Sequence, residues 1–282
     1  MKACRKFKFR DRHFELGDKT HIVGILNVTP DSFSDGSLYL SPEKAVKHAI
    51  EMLDNGADII DIGGESTRPG SKPVSTDEEI SRVVPVIVGL RKKRPSSVIS
   101  VDTCKSEVAE EALKAGTDII NDIGGLRDSR KMAEVAAKSG AGLILMHMRG
   151  TPETMQSLTE YGNLISDIIS SLENSIKMAE SAGIEGDHIV IDPGIGFAKT
   201  TGQNLEILKN MDKFVELGYP LLLGPSRKSF IGTVLDRKEP AERIFGTAGV
   251  VAWLAMKSVD FVRVHDVREM SDVLKIIESI KH

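Results

Sequence analysis

Cysteine is nearly absent: Cys4 and Cys104 are the only two in a chain of 282 residues. A polypeptide of that size does not depend on one staple, so a reducing, cytoplasmic compartment is expected. The seven histidines are scattered, with neither the i, i+4 pairs nor the Cys-x-x-Cys spacing that builds a zinc site, and no structural metal is expected. The amino terminus, Met-Lys-Ala-Cys-Arg-Lys-Phe-Lys, lacks the apolar segment of a secretory signal, and no stretch is long and apolar enough to span a bilayer. Excess charge of either sign is missing as well. A formal net charge of -4 and a pI near 6.0 provide no electrostatic reason to expect nucleic acid or an anionic membrane as partner. The basic run from Arg91 to Arg94 precedes Pro95 and reads as a solvated helix end. The turn Gly194-Ile195-Gly196 lacks the third glycine and the early position of a dinucleotide fingerprint, which argues against a Rossmann site.

What is present is a repeating unit. Hydrophobic residues at 40% and charged residues at 28% suit a globular protein with a large core, and 282 residues is about the length of one closed (β/α) barrel. Residues 7–16 alternate about Arg10-Asp11-Arg12-His13 and predict a short hairpin closing one end of the main fold. Apolar runs of strand length then recur at residues 21–26, 58–63, 98–101, 118–123, 142–146, 188–191, 220–223 and 261–264. Segments of helical period separate them, at 42–55, 76–93, 107–115, 131–139, 162–182, 204–217 and 240–257, with 267–280 closing the chain. Continuous rather than alternating runs imply burial on both faces, so eight such units predict a TIM-type α/β barrel, residues 1–282 forming one domain. A doubly wound open sheet would show the same local pattern. The apolar segment 243–259 is read as a helix packed on the barrel, with a subunit interface as the other use.

Polar residues follow every apolar run: Asn27, the stretch from Gly63 to Gly70, Asp102-Thr103, Asn121-Asp122, His147-Met148, Asp192-Pro193-Gly194, Ser226 to Ser229, and Arg263 to Asp266. In a barrel these ends share one mouth. Helix capping accounts for Thr103 and Asp122, but not for Arg68, Lys228, Arg263 and His265 together. These four suggest an anionic substrate, with Arg offering bidentate contact and Lys a point charge. Asp102, Asn121 and Asp192 can match a flat, nitrogen-rich ring through paired donors and acceptors. His147 and Met148 are read as pocket lining, and Phe197 as either core or stacking platform.

The runs Gly24-Ile-Leu-Asn-Val-Thr-Pro-Asp-Ser-Phe-Ser-Asp-Gly36, Gly64-Glu-Ser-Thr-Arg-Pro-Gly70, Ile191-Asp-Pro-Gly-Ile-Gly-Phe197, Ser226-Arg-Lys-Ser-Phe230 and Arg263-Val-His-Asp-Val267 resemble, in order, the loops of the dihydropteroate synthase family. The resemblance covers essentially the whole chain and implies a magnesium-dependent TIM-barrel enzyme. Its reaction joins 4-aminobenzoate to (7,8-dihydropterin-6-yl)methyl diphosphate, giving dihydropteroate and diphosphate. With cations gathered at the leaving group and an arylamine that is already nucleophilic, diphosphate is expected to depart before the amine attacks. The resemblance implies pterin contacts from Asp102, Asn121, Asp192 and Lys228, with Met146 and Phe197 among the substrate-binding residues. Asn27, Arg263 and His265 would hold the diphosphate, Asn27 also serving as a magnesium ligand. Thr67 and Arg68 would belong to a second mobile loop, and Phe33, Asp35 and Pro69 to loops that close over the aminobenzoate, with Asp35 acting in catalysis. Ser226, read as the start of a helix, would receive the aminobenzoate carboxylate. A cytoplasmic homodimer acting on small molecules is implied. The alternatives are a methyltetrahydrofolate:corrinoid methyltransferase on a related barrel and a non-catalytic pterin-binding paralogue. The former does not need the 27–36 and 226–229 motifs, and the latter would have lost the cations.

Overall fold

All eight apolar runs fold as parallel strands, because each is covered by helices on one side and by the other strands' side chains on the other. A computed structural model of the chain describes residues 5–29, 41–68, 70–127 and 130–281. The chain starts with an antiparallel hairpin, β1 (Arg5–Phe9) and β2 (Arg12–Leu16), in which Phe7 faces Phe14. The main sheet comprises β3 (His21–Asn27), β4 (Ile59–Gly63), β5 (Val98–Asp102), β6 (Ile119–Asp122), β7 (Gly142–Met146), β8 (Ile189–Asp192), β9 (Leu222–Leu223) and β10 (Phe261–Val264). Strand order follows chain order from β3 to β8, with β10 and then β9 on the other flank of β3. A parallel bridge from Ile191 to Leu221 joins β8 to the start of β9 and closes the ring. This excludes the doubly wound alternative, whose strand order reverses at its centre.

The helices between the strands are α1 (Pro42–Asp54), α2 (Thr76–Lys93), α3 (Ser106–Ala115), α4 (Arg130–Ser139), α5 (Leu164–Ser181), α6 (Thr201–Lys209), α7 (Met211–Val215), α8 (Ser229–Leu235), α9 (Ile244–Met256) and α10 (Val267–Lys281). Their starts are encoded locally. The Ser41 and Ser75 hydroxyls accept from the backbone N–H groups of Lys44 and Glu78, Pro42 occupies the first turn of α1, and Thr200 and Gln203 form a capping box on α6. The structure departs from the periodicity at three places. The 204–217 segment breaks at Asn210 into α6 and α7, residues 240–243 form a 3₁₀ turn ahead of α9, and the helix expected to start at Ser226 starts three residues later, as α8.

Each strand contributes one apolar side chain to the barrel floor: Val23, Ile59, Val98, Ile119, Ile144, Val190, Leu222 and Phe261. Phe7, Phe9 and Leu16 of the hairpin seal that floor from outside. Phe7 meets Phe261 edge-on, with ring centroids 5.7 Å apart. Full burial of each such side chain contributes roughly 1.5–3 kcal/mol, so the floor can support polar tiers above it. Among the described residues no helix is long and apolar enough to cross a membrane.

Candidate active site

Side chains alternate along a strand, so the residues two positions beyond the floor also point into the barrel. They are Ile25, Asp61, Ser100, Asn121, Met146, Asp192, Gly224 and Arg263. The tier above includes Asn27, Gly63 and Asp102, which pair in one row: Asn27 with Gly63, Gly63 with Asp102, and Asp102 with Asn121. Strand registry alone thus brings the sequence-selected Asn27, Asp102, Asn121, Asp192 and Arg263 to one end. A cavity of about 680 Å³ opens there, lined by Asn27, Thr67, Arg68, Asn121, Met146, Asp192, Phe197, Ser226, Lys228, Arg263 and His265 among others. Asp102 lies beneath its wall, 6% exposed, behind Arg263.

The centre of the site is a buried ionic network. Arg263 donates from Nε to Asp61 Oδ2 and from Nη2 to Asp102 Oδ2, each at 2.6 Å, and Asn121 Nδ2 donates to the same Asp61 oxygen at 3.0 Å. Burial opposes the Arg263 charge, but Asp61 and Asp102 more than offset this and hold its pKa above the usual value. Burial pushes the Asp102 carboxyl up to about 7, against the pull of Arg263. Asp192 is raised by burial to about 6, although its Oδ1 accepts from Gly194 N at 2.7 Å. Lys228 is lowered to about 8, first by desolvation and then by the nearby Arg263. Its ammonium sits 3.8 Å from the centroid of the Phe197 ring, so Phe197 faces the pocket and not the core alone.

Two features of this arrangement correct the reading of the mouth as a set of free cations. Arg263 is balanced by two carboxylates, and Asp61, unremarked within the run Ile59-Ile60-Asp61-Ile62, supplies one of them. His265 is not cationic. Burial together with Arg227 and Arg263 lowers it to about 3, and its Nδ1 lies 2.9 Å from the Ser226 hydroxyl. Ser226 also accepts from the His265 backbone N–H at 3.1 Å and does not begin a helix; α8 begins at Ser229, which lines the same cavity.

The loop after β8 is braced by a residue that sequence reasoning missed. The buried Lys199 Nζ contacts His147 Nδ1 at 3.0 Å and donates to the carbonyls of Gly194 and Phe197, each at 2.9 Å. Burial lowers Lys199 to about 7 and His147 to about 2, so His147 is a neutral structural partner and not pocket lining. Met148 lines a separate, smaller cavity beside Cys104 and Asp122. Thr103 and Asp122 do not cap helices as expected: Thr103 Oγ1 accepts from Lys105 N, ahead of α3, and the Asp122 carboxylate accepts from Gly124 N and Leu126 N in the turn after β6. On the opposite flank, Lys105 Nζ joins Glu65 to the buried Glu79, each at 2.5 Å, and Glu65 accepts from Val74 N at 3.2 Å. These contacts tether both sides of the loop carrying Thr67 and Arg68. Phe33, Asp35 and Pro69 lie outside the described residues.

The arrangement can hold a planar ring between Asn121, Asp192 and Lys228, with an anionic tail toward Arg68 and Asn27. The model of the family described as pterin binding enzyme matches residues 23–265. Dihydropteroate synthase of Clostridium beijerinckii is 50% identical over 274 residues, 97% of this chain and 98% of that protein. The structure of the Clostridium difficile dihydropteroate synthase in the presence of pteroic acid superposes with a TM-score of 0.88 at 46% identity, covering 95% of this chain and 98% of that one. The Xanthomonas albilineans dihydropteroate synthase structure with 4-aminobenzoic acid reaches 0.92 at 37% identity, covering 99% of both chains. With its family match covering residues 23–265 and its relatives alike over nearly the full length of both chains, this chain belongs to the pterin binding enzyme family, among the dihydropteroate synthases.

Proposed function

We propose that this chain condenses 4-aminobenzoate with (7,8-dihydropterin-6-yl)methyl diphosphate, forming 7,8-dihydropteroate and diphosphate for folate synthesis in the cytoplasm. The observation that carries this reading is the single cavity in which Asn121 and Asp192 meet Lys228, Arg68 and Arg263, a match for a nitrogen-rich ring bearing an anionic group. Asp192 accepts ring N–H groups, Asn121 supplies a donor and an acceptor, and Lys228 stays close enough to its titration point to follow the charge of the ligand. Met146 and Phe197 enclose the ring. Thr67 and Arg68 hold the diphosphate from the tethered loop, and Ser226 with its neighbour Ser229 faces the aminobenzoate carboxylate. The amine nitrogen forms the new bond to the methylene carbon and loses a proton, while the carbon–oxygen electron pair leaves with diphosphate. We place departure first, since the Arg68 guanidinium is available to the leaving group, the arylamine is neutral and nucleophilic without a base, and the dihydropterin can delocalise the charge left on its methylene carbon.

Magnesium fits as an ion that arrives with the substrate. The Asn27 amide oxygen lies beside Gly63, near enough that an added Cβ there would be 3.6 Å away, and it is a neutral donor on the wall of the same cavity as Arg68 and Lys228. Such a donor set suits an ion carried mainly by phosphate oxygens and water. When bound, the ion neutralises charge on the departing diphosphate. The chain assembles as a homodimer through α9, whose Phe245, Trp253 and Met256 are 86%, 45% and 56% exposed. Purified protein given the pterin diphosphate and 4-aminobenzoate should form 7,8-dihydropteroate and diphosphate in equal amounts. Methyl transfer to a corrinoid, or pterin binding without turnover, would replace this reading with one of its alternatives.

A further inference from the structure

We infer that Asp61 is a positioning residue that sets how the pocket reads its ring, by fixing the Asn121 amide and the Arg263 guanidinium through one carboxylate oxygen. The inference rests on the pterin-binding reading above and extends it to a residue that does not line the cavity. Asp61 is 0% exposed, in the middle of β4, and pairs in register with Ile25 and Ser100. An acidic side chain in an otherwise apolar strand, inside a barrel, is costly to bury unless other groups compensate it. Here the compensation comes from two residues of the candidate site, 60 and 202 positions away in the chain.

The chemistry of the contact determines an orientation. A carboxylate accepts hydrogen bonds and does not donate them, so the amide group turned toward Asp61 must be the NH₂ of Asn121. Its carbonyl oxygen is thereby committed to the other side as an acceptor. The same Asp61 oxygen takes Arg263 Nε, while Asp102 takes Nη2, so the guanidinium plane is held at two points. Asp61 Oδ1 has no hydrogen-bond partner among the described residues, which leaves both tethers on Oδ2. Without the negative charge, residue 61 could itself donate, the amide could turn over, and the pocket would present donor for acceptor. A site built on specific donors and acceptors discriminates strongly against the wrong pattern.

The test measures pteroic acid binding by calorimetry, and steady-state kinetics with both substrates, for wild type, Asp61→Asn, Asn121→Ala and the double variant. Asp61→Asn is expected to weaken pteroic acid at least tenfold and to raise KM for the pterin diphosphate, with KM for 4-aminobenzoate unchanged within twofold. In the Asn121→Ala background, the added effect of Asp61→Asn should shrink to threefold or less, because the amide it orients is gone. An undiminished effect in that background, or equal rises in both KM values, would assign Asp61 a purely structural role and overturn the inference. Should Asp61→Asn not fold, Asn121→Gln serves instead: it keeps the amide but displaces it by one methylene, and is expected to bind pteroic acid as poorly as Asn121→Ala. Wild-type affinity in Asn121→Gln overturns the inference. Wild-type protein that fails to bind pteroic acid would instead refute the proposed function, a separate result from wild-type binding with an indifferent Asp61→Asn.

Discussion

Gly196 holds the space that Lys228 occupies. A Cβ added at Gly196 would lie 2.6 Å from Lys228 Cδ and 3.2 Å from Nζ, and the glycine has φ of +83°, which disfavours side chains in any case. The lysine stem threads past the loop after β8 to reach the face of Phe197. Gly196→Ala is therefore expected to displace the ammonium and lower kcat/KM for the pterin substrate by at least tenfold, with folding retained. Phe197→Leu should cost about 0.5–2 kcal/mol of pterin binding through lost cation–π contact and ring packing. Calorimetry on both variants checks this; equal affinity for Gly196→Ala and wild type would contradict it.

Asp192 carries a cost in stability that its function explains. Its pKa is about 6 in the folded protein against an ordinary value of 3.8, so the folded state holds more protons between these values. Stability contributed by this group is then highest below about pH 4 and declines as pH rises through about 6. Asp192→Asn removes the charge but keeps an acceptor for Gly194 N. It should stabilise the protein at pH 7.5 by about 1–3 kcal/mol while abolishing pterin binding, as measured by urea unfolding and ligand titration. A destabilised variant would show that the carboxylate charge is better compensated in the fold than its burial implies.

His265 should take up a proton when the anionic substrate binds. Held to about 3 by burial and by Arg227 and Arg263, it is neutral at pH 6.5 in the free protein. Unfolded histidine binds protons below about 6.5, so this group lowers stability as pH falls from there toward 3. Diphosphate beside the ring supplies the negative charge that raises its pKa. Calorimetry of diphosphate binding at pH 6 in buffers of different ionisation enthalpy should show net uptake, greatly reduced in His265→Asn. Uptake of the same size in that variant would transfer the effect to another group.

The order of bond changes has its own observable. If the carbon–oxygen bond breaks first, the methylene carbon becomes trigonal and the dihydropterin delocalises the charge. A normal secondary deuterium isotope effect on that methylene is expected under conditions where chemistry limits turnover. A value near unity would establish direct displacement by the amine.

The sequence by itself determined the eight strand–helix units, the hairpin and the end of the strands at which the polar residues gather. Continuous apolar runs, turn glycines and caps such as Ser41 and Thr200 act through neighbours a few positions away, so the residues themselves carry that information. Asn27, Asp102, Asn121, Asp192 and Arg263 could be selected because each lies at or near the carboxyl end of such a run. Ring closure through Ile191 and Leu221 could not, since an open sheet has the same local pattern. Asp61 escaped notice because a lone acid inside an apolar strand is ambiguous until strand order brings Arg263 across from it. Lys199, in a polar loop, looked like any surface lysine until the packing of the loop after β8 buried it against His147. The charge states were likewise a tertiary matter. Whether Arg263 is free or balanced, and whether His265 holds a proton, depends on burial and on charges contributed by distant strands, which only the closed barrel brings within a few ångströms.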